Sequence, residues 1–416
     1  MTALISHVAM VSMILVGSSN PATSTDASGW TKHTINDRSP FEAAGAFDVD
    51  GDGILDVVCG ETWYRGPEFQ TSYKVREVTQ RGTYFNCFAT LPVDVNGDGL
   101  MDYVTCSYFG RDVGWVENPG EFGALWTYHE IDLPGPSEAA WMVDLTGDGQ
   151  LEVLPNPVNV VVFYRLENPG PNASWTKVEL GAEQAGHGVG SGDVNGDGRI
   201  DILTPKGWFE SPEAPLSESW TFHSEWSLLG GHPDRPNDMA TGIQILAKDV
   251  DGDDLSDVIY GMGHNYGLYW IKQEQDDEGR RSWSEPMFID DSIHQAHTLL
   301  WADLDGSGQE DHLVTGTRIY GHEVEPGDTD APIIASYQFD REAGQWTRSL
   351  IYQGEPATNA PPPDRAGDRN ALNDFPRGTA GTGLQMMAVD LDGDGDLDLL
   401  CPGKSGLYWL ENPETS

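Results

Sequence analysis

The sequence predicts an all-β fold, a seven-bladed β-propeller, on three observations. An Asp-rich pattern, D-x-[DNT]-G-[DS]-x-x-x-[DE] followed by an apolar run, occurs seven times, starting at Asp48, Asp94, Asp144, Asp193, Asp249, Asp303 and Asp390. Successive starts lie 46, 50, 49, 56, 54 and 87 residues apart, and a period near 50 with several short apolar segments per unit is a propeller signature. Glycine (49) and proline (26) are abundant, as many short strands joined by tight turns require.

The fourth unit shows the elements in order. HGVGSGD reads as a first strand, DVNGDGRID as the loop, ILTPKG as a second strand, WFES as a third and SWTFHSEW as a fourth. The third strand recurs as VGWVENPG, VVFYRLENPG, GLYWIKQ and GLYWLENP, and the fourth as LWTYHEI, SWTKVEL, RSWSEPMFI and QWTRSLI. The last unit lacks a fourth strand, while Gly29–Ile35 (GWTKHTI) is a fourth strand with no unit of its own. The expectation is an N-terminal strand that completes the last blade and closes the ring, leaving no exposed sheet edge.

The propeller therefore occupies residues 29–416, preceded by a signal or disordered segment over 1–28. Residues 5–17 are apolar and run into SSNPATSTDASG, which reads as a secretory signal and predicts a secreted or periplasmic protein. The run is too short to insert across a membrane. Cys59, Cys87, Cys106 and Cys401 form no CxxC pair and read as small core residues. With 23 basic and 67 acidic residues the net charge is −44, which argues against nucleic acid and anionic membranes as partners.

The loops predict a hard cation. Counted from its own first Asp, each approaches D-x-D-x-D-G-x-x-D. Places one, three and five put oxygens on one side, a glycine in place six allows the sharp turn, and a carboxylate in place nine closes the cage. Four loops are complete: Asp48, Asp50, Asp52 and Asp56; Asp94, Asn96, Asp98 and Asp102; Asp193, Asn195, Asp197 and Asp201; and Asp390, Asp392, Asp394 and Asp398. The third keeps Asp144, Asp148 and Glu152 but has Thr146 in place three. The fifth keeps Asp249, Asp251, Asp253 and Asp257 with Asp254 replacing the glycine, and the sixth keeps Asp303, Asp305 and Asp311 with Ser307 in place five. Oxygen-only donors suit structural Ca²⁺. The alternative for the three irregular loops is a metal-free turn held by Asx hydrogen bonds.

A hairpin argument places the site at the opposite face, where the first strand begins and the second ends. Six positions before each first Asp stand Glu42, Phe88, Glu138, His187, Ile243, His297 and Leu384. At or near the end of the second strand stand Glu61, Ser107, Asn156, Lys206, His264, Arg318 and Lys404. His187, His264 and His297, on successive repeats, are candidate ligands for Zn²⁺ or another transition metal. His294 and Glu138 are candidates for proton transfer, and Arg318, Lys206 and Lys404 for holding an oxyanion. Trp63, Tyr84, Tyr108 and Trp208 could stack on a sugar, with Asn156 and Asn265 as polar contacts; core packing is the competing reading for these aromatics. The long insertions Leu228–Gly242, Ile319–Pro332 and Gln353–Gly378 are expected at the same rim. No GxSxG, HExxH, Walker or dinucleotide motif occurs, which removes support for serine hydrolase, zincin and NTPase readings.

The repeats resemble the FG-GAP or VCBS family, a resemblance that implies the propeller and structural Ca²⁺ but no single function. GMGHNYGLYWIK, IHQAHTLLWADLDGSGQEDHLVTGTR and GKSGLYWLENP are similar to segments of the propeller domain of the fungal aldos-2-ulose dehydratases. That resemblance implies a carbon–oxygen lyase removing water from a keto-sugar, with a small sugar or glycan as partner. The alternatives are a non-catalytic lectin or adhesion propeller, which would show several similar pockets, and a polysaccharide lyase, which would show an open groove.

Overall fold

A computed structural model describes residues 24–25, 29–228, 241–321, 326–356 and 377–413. The expected leader, apart from 24–25, most of the insertions Leu228–Gly242 and Gln353–Gly378, and residues 322–325 of Ile319–Pro332 lie outside the described residues. No helix occurs among the described residues, and none is long and apolar enough to cross a membrane. The fold is an all-β propeller.

The first repeat shows why these segments become strands. Asp56–Cys59 (DVVC) is wholly buried, Thr62–Arg65 buries its middle, and Thr71–Lys74 is largely exposed, so the apolar, β-branched strands lie inside and the polar one at the rim. With Ala44–Phe47 they form a four-stranded antiparallel sheet in chain order. Further four-stranded sheets run from Leu91–Val93 to Thr127–Asp132, from Ser137–Val143 to Ser174–Gly181 and from Leu299–Ala302 to Gln345–Gln353. The last repeat contributes Met387–Val389, Asp398–Gly403 and Gly406–Glu411, and Thr31–Asn36 lies antiparallel on the third of these, Thr31 opposite Glu411 and Thr34 opposite Tyr408.

The expectation of seven separate blades is corrected. Five separate sheets have four or five strands, whereas the fourth and fifth repeats share one eight-stranded sheet. They join where Val189–Gly192 pairs in parallel with Thr241–Lys248, Gly190 beside Ile245. The cause is the missing Cβ: one on Gly190 would sit 1.8 Å from the Ile245 carbonyl oxygen, and one on Gly192 2.6 Å from the Ala247 Cβ. Glycines here let two backbones approach to hydrogen-bonding distance.

The core follows the ring. The apolar clusters among the described residues each join neighbouring repeats. Val58 and Trp63 meet Tyr103 and Trp126, Leu154 and Phe163 meet Ile202 and Phe209, and Val57 and Tyr64 of the first repeat meet Leu400 and Trp409 of the last. All four cysteines are buried and free, as expected of core residues.

Candidate functional site

The hairpin geometry brings one set of side chains to the ring centre. Glu42, Glu138, His187 and His297 come from the starts of first strands, and His264, Arg318 and Lys404 from the ends of second strands. All but His187 are buried. Arg318, wholly enclosed, is the hub. Its Nε donates to Glu42 Oε1 at 2.8 Å, its Nη2 to Glu42 Oε2 at 3.3 Å and its Nη1 to Glu138 Oε1 at 2.6 Å. The same Nη1 lies 3.0 Å from His297 Nε2.

The other Glu138 oxygen is 2.7 Å from His187 Nε2, which is in turn 3.3 Å from His264 Nε2. His297 Nδ1 is 3.2 Å from the Gln295 carbonyl, which assigns the proton to Nδ1 and leaves the lone pair on Nε2, the atom Arg318 meets. Gln295 adopts a left-handed conformation (φ 52°), and its carbonyl also accepts the Arg318 backbone N–H at 3.1 Å. One unusual backbone position thus fixes both His297 and Arg318.

Lys404 Nζ donates to the carbonyls of Tyr320 at 2.7 Å and Gly321 at 3.3 Å, stands 3.8 Å from Glu42 Oε2 and sits 3.9 Å from the centroid of the Tyr84 ring. The Tyr84 hydroxyl donates to Gly321 at 2.8 Å. Two carboxylates and two cations share a buried space, so their formal charges balance. Burial alone would raise the Glu138 carboxyl, but His187 and Arg318 override it and hold the group well below the usual carboxylate range. Burial, then the Arg318 charge, holds His297 well below its ordinary value. At neutral pH the centre therefore carries an ionised Glu138 and a neutral His297.

The remaining candidates fall elsewhere. Lys206 Nζ donates to the Glu183 carbonyl at 2.6 Å. Trp63 packs on Tyr73 and Phe122, Trp208 stacks on His223, and both are core side chains. Tyr108 is half-buried against Phe109. His294 is buried 5.6 Å from the Tyr266 ring, its pKa lowered by burial. Asn156 is buried with no hydrogen-bond partner for its Nδ2, and Asn265 is buried with its Oδ1 accepting the Tyr266 N–H. Glu42 is placed at this rim by its sequence offset, which gives it no role there, and the structure makes it the main partner of Arg318. It stands at the same offset from its loop as Glu138, His187 and His297, and that offset is the signal that identifies it.

Candidate ligand atoms of His187, His264 and His297 lie within 4.8 Å of one another. The 3.3 Å between the first two Nε2 atoms matches the edge of a tetrahedral site with about 2.0–2.1 Å metal–nitrogen bonds, roughly 3.3 Å. The donor type fits a transition metal, and binding one requires His187 Nε2 to leave Glu138 and Arg318 Nη1 to leave the His297 lone pair.

At the loops, the first Asp accepts N–H groups of the turn: Asp48 takes those of Gly51, Asp52 and Gly53. The ninth carboxylate latches the neighbouring strands, Asp102 accepting from Val95 and Asn118, Asp201 from Val194 and Ser211, and Asp398 from Leu391 and Asn412. Burial pushes these three carboxyls up to about 6, 6 and 7. The donor set is carboxylate and amide oxygen, and Asp396 Oδ1 is buried without a partner, both of which fit a hard cation. The sixth loop departs from this pattern: Asp311 faces His312 Nδ1 at 2.9 Å.

Residues 94–154 match the FG-GAP-like repeat family. Over 281 residues the chain is 23% identical to the aldos-2-ulose dehydratase of Phanerodontia chrysosporium, an alignment covering 59% of this chain and 29% of that enzyme. The chain thus spans under a third of the length of that relative. Among solved structures, the exotype rhamnogalacturonan lyase YesX superposes with a TM-score of 0.47 at 13% identity, covering 95% of this chain and 75% of the lyase. An Agrocybe aegerita lectin recognising non-reducing terminal N-acetylglucosamine superposes at 0.43 and 16% identity, covering 86% of this chain and 83% of the lectin.

Proposed function

We propose that the buried centre is the active site of a carbohydrate carbon–oxygen lyase that removes water from a keto-sugar, in the manner of the aldos-2-ulose dehydratases. The observation that carries this reading is a cluster of three imidazoles, His187, His264 and His297, with the ionised Glu138 carboxylate bonded to His187 at 2.7 Å. A lectin pocket needs no such proton-handling group.

β-Elimination requires a base to take the proton from the carbon beside the carbonyl, while the hydroxyl on the next carbon departs with a proton as water. His187 is the most accessible member of the cluster and its Nε2 meets the Glu138 carboxylate at 2.7 Å, which suits His187 to receive the proton and return it to the leaving hydroxyl. Glu138 orients the ring, and Arg318 holds Glu138 from behind. With all three of its nitrogens engaged, Arg318 acts as a positioning residue rather than an anion clamp. A transition metal held by His187, His264 and His297 would supply Lewis acidity to the substrate carbonyl and would take the His187 lone pair, in which case the proton transfer would fall to Glu138. The Asp-rich loops, on this reading, take Ca²⁺ as a structural ion.

The test is the appearance of an ultraviolet-absorbing enone from 1,5-anhydrofructose or a 3-keto-glycoside. His187→Ala and Glu138→Gln should each reduce turnover about 10²–10⁴-fold, the usual worth of general acid–base catalysis. Metal-replete protein that binds glycans yet forms no unsaturated product would replace this reading with the lectin one.

A further inference from the structure

The residue facing each ninth-place carboxylate across the second-to-third strand ladder divides the loops into classes. Val57 pairs with Tyr64, which sets Asp56 opposite Arg65. By the same register Glu152 faces Arg165 and Asp257 faces Lys272. At the loops beginning at Asp94, Asp193 and Asp390 the facing residue is instead acidic: Glu117, Glu210 and Glu411. At the Asp303 loop it is Phe339. The register alone produces this division, whatever rotamers the side chains adopt.

The contacts agree with it. Arg65 Nε lies 2.6 Å from Asp50 Oδ2, and its Nη2 2.7 Å from Asp52 Oδ2. Arg165 Nη1 is 2.7 Å from Glu152 Oε1, and its Nη2 2.5 Å from Asp148 Oδ2. Lys272 Nζ bonds Asp251 and stands 3.1 Å from Asp253 Oδ2. Each cation reaches carboxylates that a divalent ion in the loop would use. Asp50 Oδ1 and Asp251 Oδ1 keep no hydrogen-bond partner, so the cation neutralises the loop without filling a coordination shell. In the other class the facing glutamates turn to imidazoles. Glu117 meets His129 at 2.7 Å, Glu210 meets His223 at 2.8 Å and Glu411 meets His33 at 2.5 Å. Each imidazole stacks on the tryptophan two places before its glutamate. Arg199 also meets Asp197, but from inside the fourth loop rather than from the facing strand.

We propose that Arg65, Arg165 and Lys272 are resident counter-cations that replace the divalent ion in their loops, so that metal binding favours the loops at Asp94, Asp193 and Asp390, whose facing residue is acidic. The physical basis is Coulombic. A dication entering the Asp48 loop must sit beside a guanidinium already paired to the same carboxylates, whereas one entering the Asp94 loop meets an added negative charge from Glu117. The metal half of the proposal rests on the Ca²⁺ reading above; the counter-cation half does not.

The experiment measures bound calcium per chain by elemental analysis, after chelator dialysis and Ca²⁺ re-addition, together with the melting temperature in chelator, for wild type, Arg65→Gln, Lys272→Gln and Glu117→Arg. The expected result is one more calcium than wild type in Arg65→Gln and in Lys272→Gln, each melting lower in chelator, and one fewer in Glu117→Arg, which melts higher in chelator. Calcium content and chelator melting equal to wild type in all three variants would overturn the proposal. If no protein binds calcium, the calcium reading fails. The counter-cation assignment then stands on lower chelator melting of Arg65→Gln and Lys272→Gln, and falls if they melt as wild type does.

Discussion

Replacing Arg318 with glutamine should be the most damaging single change at the ring centre. The guanidinium is fully buried and is the direct partner of two buried carboxylates, at 2.8 Å for Glu42 and 2.6 Å for Glu138. Removing one partner of a buried ion pair costs about 3–5 kcal/mol, because the charge left behind has lost both water and its counter-ion. Glu138 retains His187, but among the described residues Glu42 retains only Lys404 at 3.8 Å, so most of the penalty belongs to Glu42. Adding Glu42→Gln to Arg318→Gln should therefore recover part of the loss, with a coupling energy of about 1–3 kcal/mol in a double-mutant cycle. Urea unfolding of the four proteins in the cycle supplies the measurement. A loss below about 1 kcal/mol in Arg318→Gln, or penalties that simply add, would refute the assignment of Arg318 as the electrostatic hub.

Three further outcomes are expected. Asp102, Asp201 and Asp398 have carboxyls raised by burial to about 6, 6 and 7. A carboxyl raised on folding binds its proton more tightly in the folded state, so its stabilisation is complete below the ordinary value near pH 4 and is lost as pH rises through 6 to 7. On the proposed calcium reading the ion takes the place of the proton, so the melting-temperature gap between calcium and chelator should widen from pH 5 to 8; a constant gap contradicts the loop assignment. Gly190→Ala should destabilise by about 1–3 kcal/mol through overpacking against Ile245, read by thermal melting, and wild-type melting would show that the junction tolerates a side chain. Deleting residues 29–36 removes the partner of Gly406–Glu411 and should give an aggregating protein by light scattering; a soluble product with unchanged melting excludes an architectural role for that strand.

Much of the centre was legible because every repeat contains the same hairpin. A fixed offset from the first Asp picks out Glu138, His187 and His297, and the strand-two end picks out His264, Arg318 and Lys404. The pairings among them were not legible. That Glu42 receives Arg318 depends on which side chains span the ring and how far a guanidinium reaches, which no within-repeat offset encodes. Trp63 and Trp208 show the converse: an aromatic beside a strand end has the composition of a sugar platform, yet both rings are enclosed by neighbouring repeats. The joined fourth and fifth repeats turn on Gly190 and Gly192, two absent side chains in a run that otherwise reads as an ordinary strand.

The Arg318–Glu42 contact joins residues 276 positions apart, and the Arg318–Glu138 contact residues 180 apart. Lys404, which closes over Tyr84 and Glu42, comes from the last repeat. A ribosome delivers the chain from the amino end, so Glu42 and Glu138 emerge long before any arginine or lysine of the centre can neutralise them. Early repeats can form their local sheets during synthesis, but the charged centre assembles only after almost the whole described chain has been released. Two carboxylates thus wait in solvent until their partners arrive, and a truncated product ending before Arg318 would present an acidic opening where this chain sets Arg318 and Lys404 against Glu42 and Glu138.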